Sequence, residues 1–126
     1  MKVLGVAWVG IRTDRFGDMT SFYEDVLGLR RWVIEEDFVA YRLPNGDIAE
    51  VFGPRAPDHD HFTTGPVVGF LVDDLSAAIG DLEAAGVKIL GTPVLDGRGG
   101  WAHFRAPDGN VYELTADPDH PSSANP

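Results

Sequence analysis

The apolar residues of this chain follow strand and helix periods in an order that occurs twice. Residues 3–11 form a short, almost wholly apolar run, which is typical of a strand buried on both faces. A stripe of apolar residues at helical spacing follows, and Gly28 can end that helix in the left-handed conformation. The stripe consists of Met19, Phe22, Tyr23, Val26 and Leu27. Residues 31–35, 38–43 and 48–53 are rich in β-branched and aromatic residues and predict three strands. The first half therefore has the predicted order β-α-β-β-β.

The same order is predicted in the second half of the chain. A second helical stripe consists of Leu75, Ala78, Ile79 and Leu82. Asp73 or Asp74 can cap this helix, and Gly86 ends it as Gly28 ends the first. Strands are predicted at 66–72, 87–90, 101–105 and 111–115. Residues 96–100 are rich in glycine and predict a flexible loop.

The two halves also share a stretch of sequence at a constant offset. Residues 39–52 read V-A-Y-R-L-P-N-G-D-I-A-E-V-F, and residues 102–115 read A-H-F-R-A-P-D-G-N-V-Y-E-L-T. Each stretch contains Pro-Asn-Gly or Pro-Asp-Gly between two strand-like runs, which predicts a β-hairpin. Each hairpin carries one glutamate at the same place on its second strand, Glu50 in the first and Glu113 in the second.

These patterns divide the chain into two modules of one domain. The first module covers residues 1–53 and the second covers residues 66–116. Residues 54–65 contain two prolines and no apolar period, so they predict a linker. Residues 117–126 lack large apolar side chains, and we expect a disordered tail.

Composition narrows the range of partners. The chain carries 10 Lys and Arg residues against 20 Asp and Glu residues, a formal charge of −10. This charge disfavours nucleic acids and anionic membrane surfaces, and no apolar run is long enough for a membrane span. The absence of cysteine and of a signal-peptide pattern leads us to expect a cytoplasmic protein.

The modules and several motifs resemble the vicinal oxygen chelate superfamily, which includes glyoxalase I, extradiol dioxygenases, methylmalonyl-CoA epimerase and bleomycin-resistance proteins. The motifs are F-Y-E-D-V-L-G-L at 22–29, V-D-D-L at 72–75 and F-R-A-P-D-G-N-V-Y-E-L at 104–114. The resemblance covers residues 3–116. It implies an α+β fold in which two β-α-β-β-β modules form a half-open curled sheet with a concave pocket, usually in a homodimer.

The resemblance also implies positions for a divalent metal ion, one on the first and one on the last strand of each module. Glu50 and Glu113 match the two last-strand positions, where such members carry glutamate. The first-strand histidines are replaced, by Ala7 or, with a slip of one residue, by Trp8, and by Val67. Two carboxylates alone are too few ligands for a dedicated ion site. The residues therefore assure no cofactor, and a divalent metal ion is possible only with a further ligand.

His103 is the first candidate for that further ligand. If Asp108 and Gly109 form a two-residue turn, Phe104 lies opposite Glu113 and His103 lies opposite Leu114. His103 then points away from the pocket, and a bulge would reverse this. For His59 and His61 in the linker we favour a solvated turn over the alternative, a lid over the pocket or a contact with the partner subunit.

Without a metal, the paired glutamates predict two kinds of chemistry. Two carboxylates in one apolar pocket repel each other, which raises the pKa of at least one. Such a pair can act as catalytic acid and base, or it can hold a cationic group of a small organic ligand. We expect five aromatic side chains on the strands to contact the ligand: Trp8, Tyr41, Phe52, Trp101 and Phe104.

The sequence leaves two classes of function open. The first is capture of a small molecule without catalysis, which resembles the bleomycin-resistance proteins and suits an acidic protein that binds a cationic compound. The second is an enzyme, either a lyase or isomerase of the glyoxalase and epimerase type or a dioxygenase. In that case Glu50 and Glu113 are metal ligands or proton-transfer groups.

Overall fold

The computed structural model describes residues 1–124. The elements of the first module are β1 (Val3–Arg12), α1 (Phe16–Ser21), a π-helical turn (Phe22–Val26), β2 (Arg31–Glu35), β3 (Phe38–Arg42) and β4 (Ile48–Phe52). Those of the second are β5 (Val67–Val72), α2 (Leu75–Ala84), β6 (Ile89–Asp96), β7 (Gly99–Arg105) and β8 (Val111–Ala116), followed by a 3₁₀ helix (Pro121–Ala124). The predicted α+β fold of two β-α-β-β-β modules is confirmed.

All eight strands form one curled sheet in the order β2-β3-β4-β1-β5-β8-β7-β6. In each module the first strand pairs in parallel with the last, and β1 joins the modules by pairing antiparallel with β5. The helices pack on the convex face, where α1 and the π-helical turn cover apolar side chains of β1, β3 and β4. The concave face is left free to form a cavity.

Both predicted hairpins form, but each closes with a three-residue loop. In the second hairpin Ala106 N–H donates to Asn110 O (2.9 Å), and Gly109 adopts the left-handed conformation with φ 87°. This arrangement is a common alternative to the two-residue turn. The odd loop length shifts the register by one residue, so His103 pairs with Glu113 and Phe104 pairs with Tyr112. The predicted pairing of His103 with Leu114 was therefore wrong.

The last turn of the first helix does not follow the predicted apolar stripe. Leu27 N–H donates to Phe22 O (3.1 Å), a bond that spans five residues and rotates the last turn. Met19 and Tyr23 pack into the core as expected, but Phe22 is 45% exposed and Val26 and Leu27 also face outward. The five residues of the predicted stripe therefore do not form one buried face.

The second module follows its predicted pattern more closely. The Oδ1 atom of Asp74 accepts the N–H of Ala77 (3.0 Å) and caps α2, whose apolar stripe packs on the sheet. Strand β6 is longer than predicted and continues past a bulge to Asp96. Pro93 is tolerated there because β6 is an edge strand, on which the missing N–H needs no partner.

The segment expected to be a disordered tail makes specific contacts up to Ala124. His120 is 7% exposed and lies against the β3–β4 turn, and a short 3₁₀ helix follows it. Asn125 and Pro126 lie outside the described residues. Within residues 1–124, no helix is long and apolar enough to cross a membrane.

Candidate functional site

A cavity of about 690 Å³ lies on the concave face of the sheet. Its aromatic lining comes from both modules: Trp8, Trp32, Phe38, Phe52, His59 and Trp101. Its acidic lining is Glu35, Glu36, Glu50, Asp58, Asp96, Glu113, Asp117 and Asp119. Among residues 1–124, Arg42 is the one Lys or Arg residue in the lining, and its guanidinium is paired with Asp117 (3.3 Å). A cavity with this lining favours flat and positively charged ligands.

Trp8 and Glu50 form the floor of the cavity on the side of the first module. The indole N–H of Trp8 donates to Oε1 of Glu50. The ring lies over Gly10, where an added Cβ would overlap the indole carbons. Glycine on the central strand β1 is therefore needed to make room for this side chain. Trp8, rather than Ala7, is the β1 residue that reaches the cavity, and Val67 packs with it in one apolar cluster.

Glu50 has an unusual protonation equilibrium. Burial raises the pKa of its carboxyl to about 7, and the Trp8 hydrogen bond opposes this only in part. Glu50 therefore changes charge close to neutral pH. A carboxyl of this kind can accept a proton, release one or ionise to bind a cation.

Glu113 occupies the floor on the side of the second module and begins a chain of hydrogen bonds. Its Oε1 atom lies 2.9 Å from Nε2 of His103, and Nδ1 of His103 lies 2.7 Å from Nε2 of His61. Oε2 of Glu113 lies over Gly69, as Trp8 does, which brings the two halves of the floor together. This chain of hydrogen bonds runs from the cavity floor through His103 on β7 to His61 in the linker.

Burial favours the neutral forms along this chain. It raises the pKa of Glu113 well above the usual range, and the charge of Glu50 adds to the effect. It lowers the pKa of His103 to about 3, with further lowering by the nearby His59 and His61. Burial thus favours the neutral arrangement, in which a protonated Glu113 donates to His103 and His103 donates to His61.

The linker histidines contribute to the site and do not form a solvated turn. The ring of His59 stacks on Phe52 with 4.0 Å between centroids and lines the cavity. His61 reaches His103, which is 4% exposed. The alternative interpretation, that these residues cover the pocket, describes their position better.

Three of the five predicted aromatic contacts line the cavity, and two do not. Trp8, Phe52 and Trp101 face the ligand space. Tyr41 is fully buried on the convex face, where its hydroxyl donates to Oε2 of Glu24 (2.7 Å). Phe104 packs against the cluster under α2. Both positions follow strand alternation. Tyr41 is next to Ala40, which pairs with Glu50, and Phe104 is next to His103, which pairs with Glu113.

Sequence reasoning missed other lining residues. Trp32 and Arg42 stack on each other, with the guanidinium carbon 4.2 Å from the ring centroid, and both line the cavity. The alternation of β3 gives a signal for Arg42, since it lies two residues from Ala40, the pairing partner of Glu50. For Asp117 and Asp119 the sequence contains no such signal, because a polar segment without an apolar period predicts no packing.

The floor does not fit the divalent metal ion that the resemblance implies. Trp8 and Val67 occupy the first-strand positions, and neither offers a donor atom to a metal. One oxygen of Glu50 accepts the indole N–H of Trp8, and one oxygen of Glu113 is hydrogen-bonded to His103. Across residues 1–124 no group of three or more His, Asp or Glu side chains is arranged to hold a metal ion. The glutamates and His103 are thus better explained by hydrogen bonding than by coordination.

Comparison with known sequences gives one family match. The sequence model of the Glyoxalase/Bleomycin resistance protein/Dioxygenase superfamily matches residues 5–114. A comparison with curated proteins finds no significant match.

Solved structures share the fold at low sequence identity. The Mn(II)-bound glyoxalase from Novosphingobium aromaticivorans has a TM-score of 0.69 and 21% identity, over 92% of this chain and 40% of that chain. Methylmalonyl-CoA epimerase from Streptomyces coelicolor, in complex with 2-nitronate-propionyl-CoA, has a TM-score of 0.65 and 17% identity, over 92% and 99%. A superfamily member from Vibrio splendidus 12B01 has a TM-score of 0.63 and 17% identity, over 86% and 96%. At these identities the likeness shows the fold alone.

Proposed function

The chain belongs to the glyoxalase/bleomycin resistance protein/dioxygenase superfamily, and from this premise we propose that it binds a cationic aromatic small molecule without transforming it. The observation that carries the proposal is the lining of the cavity, in which aromatic rings and carboxyl groups surround a floor formed by Trp8 and Glu50.

Charge selects among the ligands of this superfamily. The chain has a formal charge of −10, and Arg42 in the cavity wall is neutralised by Asp117. A coenzyme A derivative such as 2-nitronate-propionyl-CoA, the ligand in the epimerase complex, carries several phosphate charges that this cavity would repel. A cation is attracted both by the field of the whole chain and by the ionised form of Glu50.

The aromatic rings add a short-range term to this attraction. A cation over the face of a buried tryptophan gains about 1–2 kcal/mol, and a flat ring system buries additional apolar area. Trp8, Trp32 and Trp101 are spread from the floor to the rim. A ligand with a delocalised positive charge can therefore use the carboxyl and the rings together.

The test compares three bicyclic probes that differ mainly in charge. We expect the cation 1-methylquinolinium to bind at least about tenfold more tightly than neutral 1-methyl-2-quinolone near pH 8, a difference of about 1.4 kcal/mol. We expect the anion quinoline-4-carboxylate not to bind. Isothermal titration calorimetry measures all three, with and without EDTA, and the chelator is expected to leave the affinities unchanged. Equal affinity for the cation and the neutral probe would contradict the proposal.

A second candidate function is metal-free proton transfer on a carbon acid. The chain from Glu113 through His103 to His61 favours it, because a floor carboxyl bonded to a neutral imidazole can be supplied with protons from the linker side. The two candidates differ in turnover. An acid–base enzyme would exchange the activated C–H of a bound uncharged or cationic carbonyl compound for deuterium in D₂O, and His103→Gln would slow this exchange. A capture protein would bind the same compounds without exchange, as NMR of the probe can show.

A further inference from the structure

The floor of the cavity has two carboxyl oxygens that no neighbouring side chain engages. Oε1 of Glu50 accepts the indole N–H of Trp8, and Oε1 of Glu113 is hydrogen-bonded to Nε2 of His103. The second oxygen of each carboxyl, Oε2, has no hydrogen-bond partner among residues 1–124. Within the same residues, the only buried side-chain nitrogen or oxygen that lacks a partner is Nε of Arg12. The two Oε2 atoms are therefore not sealed inside the protein, and they are accessible from the cavity that both glutamates line.

The indole of Trp8 lies between these two oxygens. Its N–H edge faces Glu50. Its opposite edge lies beside Gly69, where an added Cβ would be 3.1 Å from Cε3 of Trp8 and 3.3 Å from Oε2 of Glu113. Gly69 pairs with both Trp8 and Glu113 in the sheet, and because it has no side chain it leaves this oxygen uncovered. The floor thus presents one acceptor on each side of a flat ring.

Among the described residues, the floor offers acceptors and no free donor. The indole N–H is already used by Glu50. In the neutral arrangement described above, the proton of Glu113 is on Oε1, so its Oε2 can only accept. Arg42 in the cavity wall is engaged by the carbonyl of Gly46 (3.0 Å) and by Asp117. A group that binds at the floor must therefore supply N–H or O–H donors itself.

Positive charge alone does not satisfy such a floor. A carboxyl oxygen that exchanges water for a ligand without N–H groups loses a hydrogen bond, and an unpaired buried polar atom costs free energy. The N–H groups of a cation form charge-assisted hydrogen bonds, which are about twice as strong as neutral ones. The planar fork of an amidinium or a guanidinium directs N–H groups to both of its sides, which suits two acceptors that flank Trp8.

We propose that the cationic group of the ligand is an amidinium or a guanidinium, whose N–H groups donate to Oε2 of Glu50 and to Oε2 of Glu113. This proposal rests on the cation-binding function proposed above, and it narrows that function from any cation to one with a fork of N–H donors. The two proposals can fail separately, because charge and N–H donors are varied in different pairs of probes.

The experiment compares two naphthalene cations of similar size that are both charged near pH 8. The first, 2-naphthamidinium, carries N–H donors, and the second, (2-naphthyl)trimethylammonium, carries none. Isothermal titration calorimetry is expected to show at least about tenfold tighter binding of the amidinium, as one charge-assisted hydrogen bond provides. Equal affinities of the two cations would overturn the proposal. If 1-methylquinolinium were then still preferred to 1-methyl-2-quinolone, the protein would bind cations by charge alone, and the cation-binding proposal would stand.

Variants of Glu113 test the second acceptor. Glu113→Leu keeps the approximate volume and removes the acceptor, so the ratio of the two dissociation constants should fall to about one. Glu113→Gln should keep the wild-type ratio, because its amide N–H can donate to His103 while its carbonyl oxygen takes the place of Oε2. Glu83→Gln removes an exposed carboxyl outside the cavity and is the control, for which we expect an unchanged ratio.

A cooperative urea transition shows whether Glu113→Leu is folded. If the folded variant kept the full preference for the amidinium, Glu113 would not be the second acceptor and the proposal would be overturned. The comparison of the two cations in the wild type decides the proposal whether or not this variant folds.

Discussion

Binding of 1-methylquinolinium is expected to weaken about 100-fold between pH 8 and about pH 5, since each step of one pH unit below the pKa costs about a factor of ten. The reason is the Glu50 carboxyl, whose pKa in the empty cavity is about 7. A cation at the floor requires the ionised form. That form is the major one above the pKa and becomes rare well below it. The affinity should therefore be nearly constant at high pH and fall as the pH is lowered.

Two variants assign this pH dependence to one carboxyl. Glu50→Gln should bind the cation weakly at every pH, with the affinity that the wild type shows under acidic conditions. Glu113→Gln should keep the pH dependence, because burial raises the pKa of Glu113 and disfavours its ionised form. Calorimetry across the pH range measures both, and the permanently neutral 1-methyl-2-quinolone serves as the reference. If Glu50→Gln retained the wild-type pH dependence of cation binding, ionisation of another group would control the affinity.

The repeated hydrophobic pattern was sufficient to predict the fold, because each element is defined by local periods. The same local information placed Glu50 and Glu113 at equivalent sites in two hairpins. It did not determine the register of the second hairpin. Pro-Asp-Gly can close a loop of two or three residues, and the choice moves His103 from the opposite face to a direct bond with Glu113.

Other parts of the site depend on contacts between residues far apart in the chain. His61 and His103 are 42 residues apart, and Asp47 and His120 are 73 residues apart. The segments that carry His61 and His120 are polar and without period, so their composition predicts exposure. They become ordered because the curled sheet offers each of them a polar partner at one of its two ends. Such pairing is a property of the folded surface and leaves no local signal.

The floor carboxyl should also make the protein less stable than it could be. In the folded state the pKa of Glu50 is about 7, whereas its ordinary value is 4.5. Between these two values the folded state binds more protons than the unfolded state, so the free energy of unfolding decreases as the pH rises through this range. At about 1.4 kcal/mol for each pH unit between the two pKa values, the loss amounts to about 3–4 kcal/mol above pH 7. Glutamine cannot ionise and avoids this cost.

Glu50→Gln is therefore expected to unfold at higher urea concentration than the wild type near pH 8, with a gain of about 3–4 kcal/mol, and to match it below about pH 4.5. Glu83→Gln, on the exposed face of α2, is the matched control and should change the free energy of unfolding by less than about 0.5 kcal/mol. Tryptophan fluorescence follows the transition. A variant that merely damaged the site would lose binding and stability together. The buried carboxyl predicts weaker binding together with higher stability, because the charge that destabilises the empty cavity is the same charge that a cation neutralises. An unchanged or lower free energy of unfolding of Glu50→Gln at high pH would contradict this account.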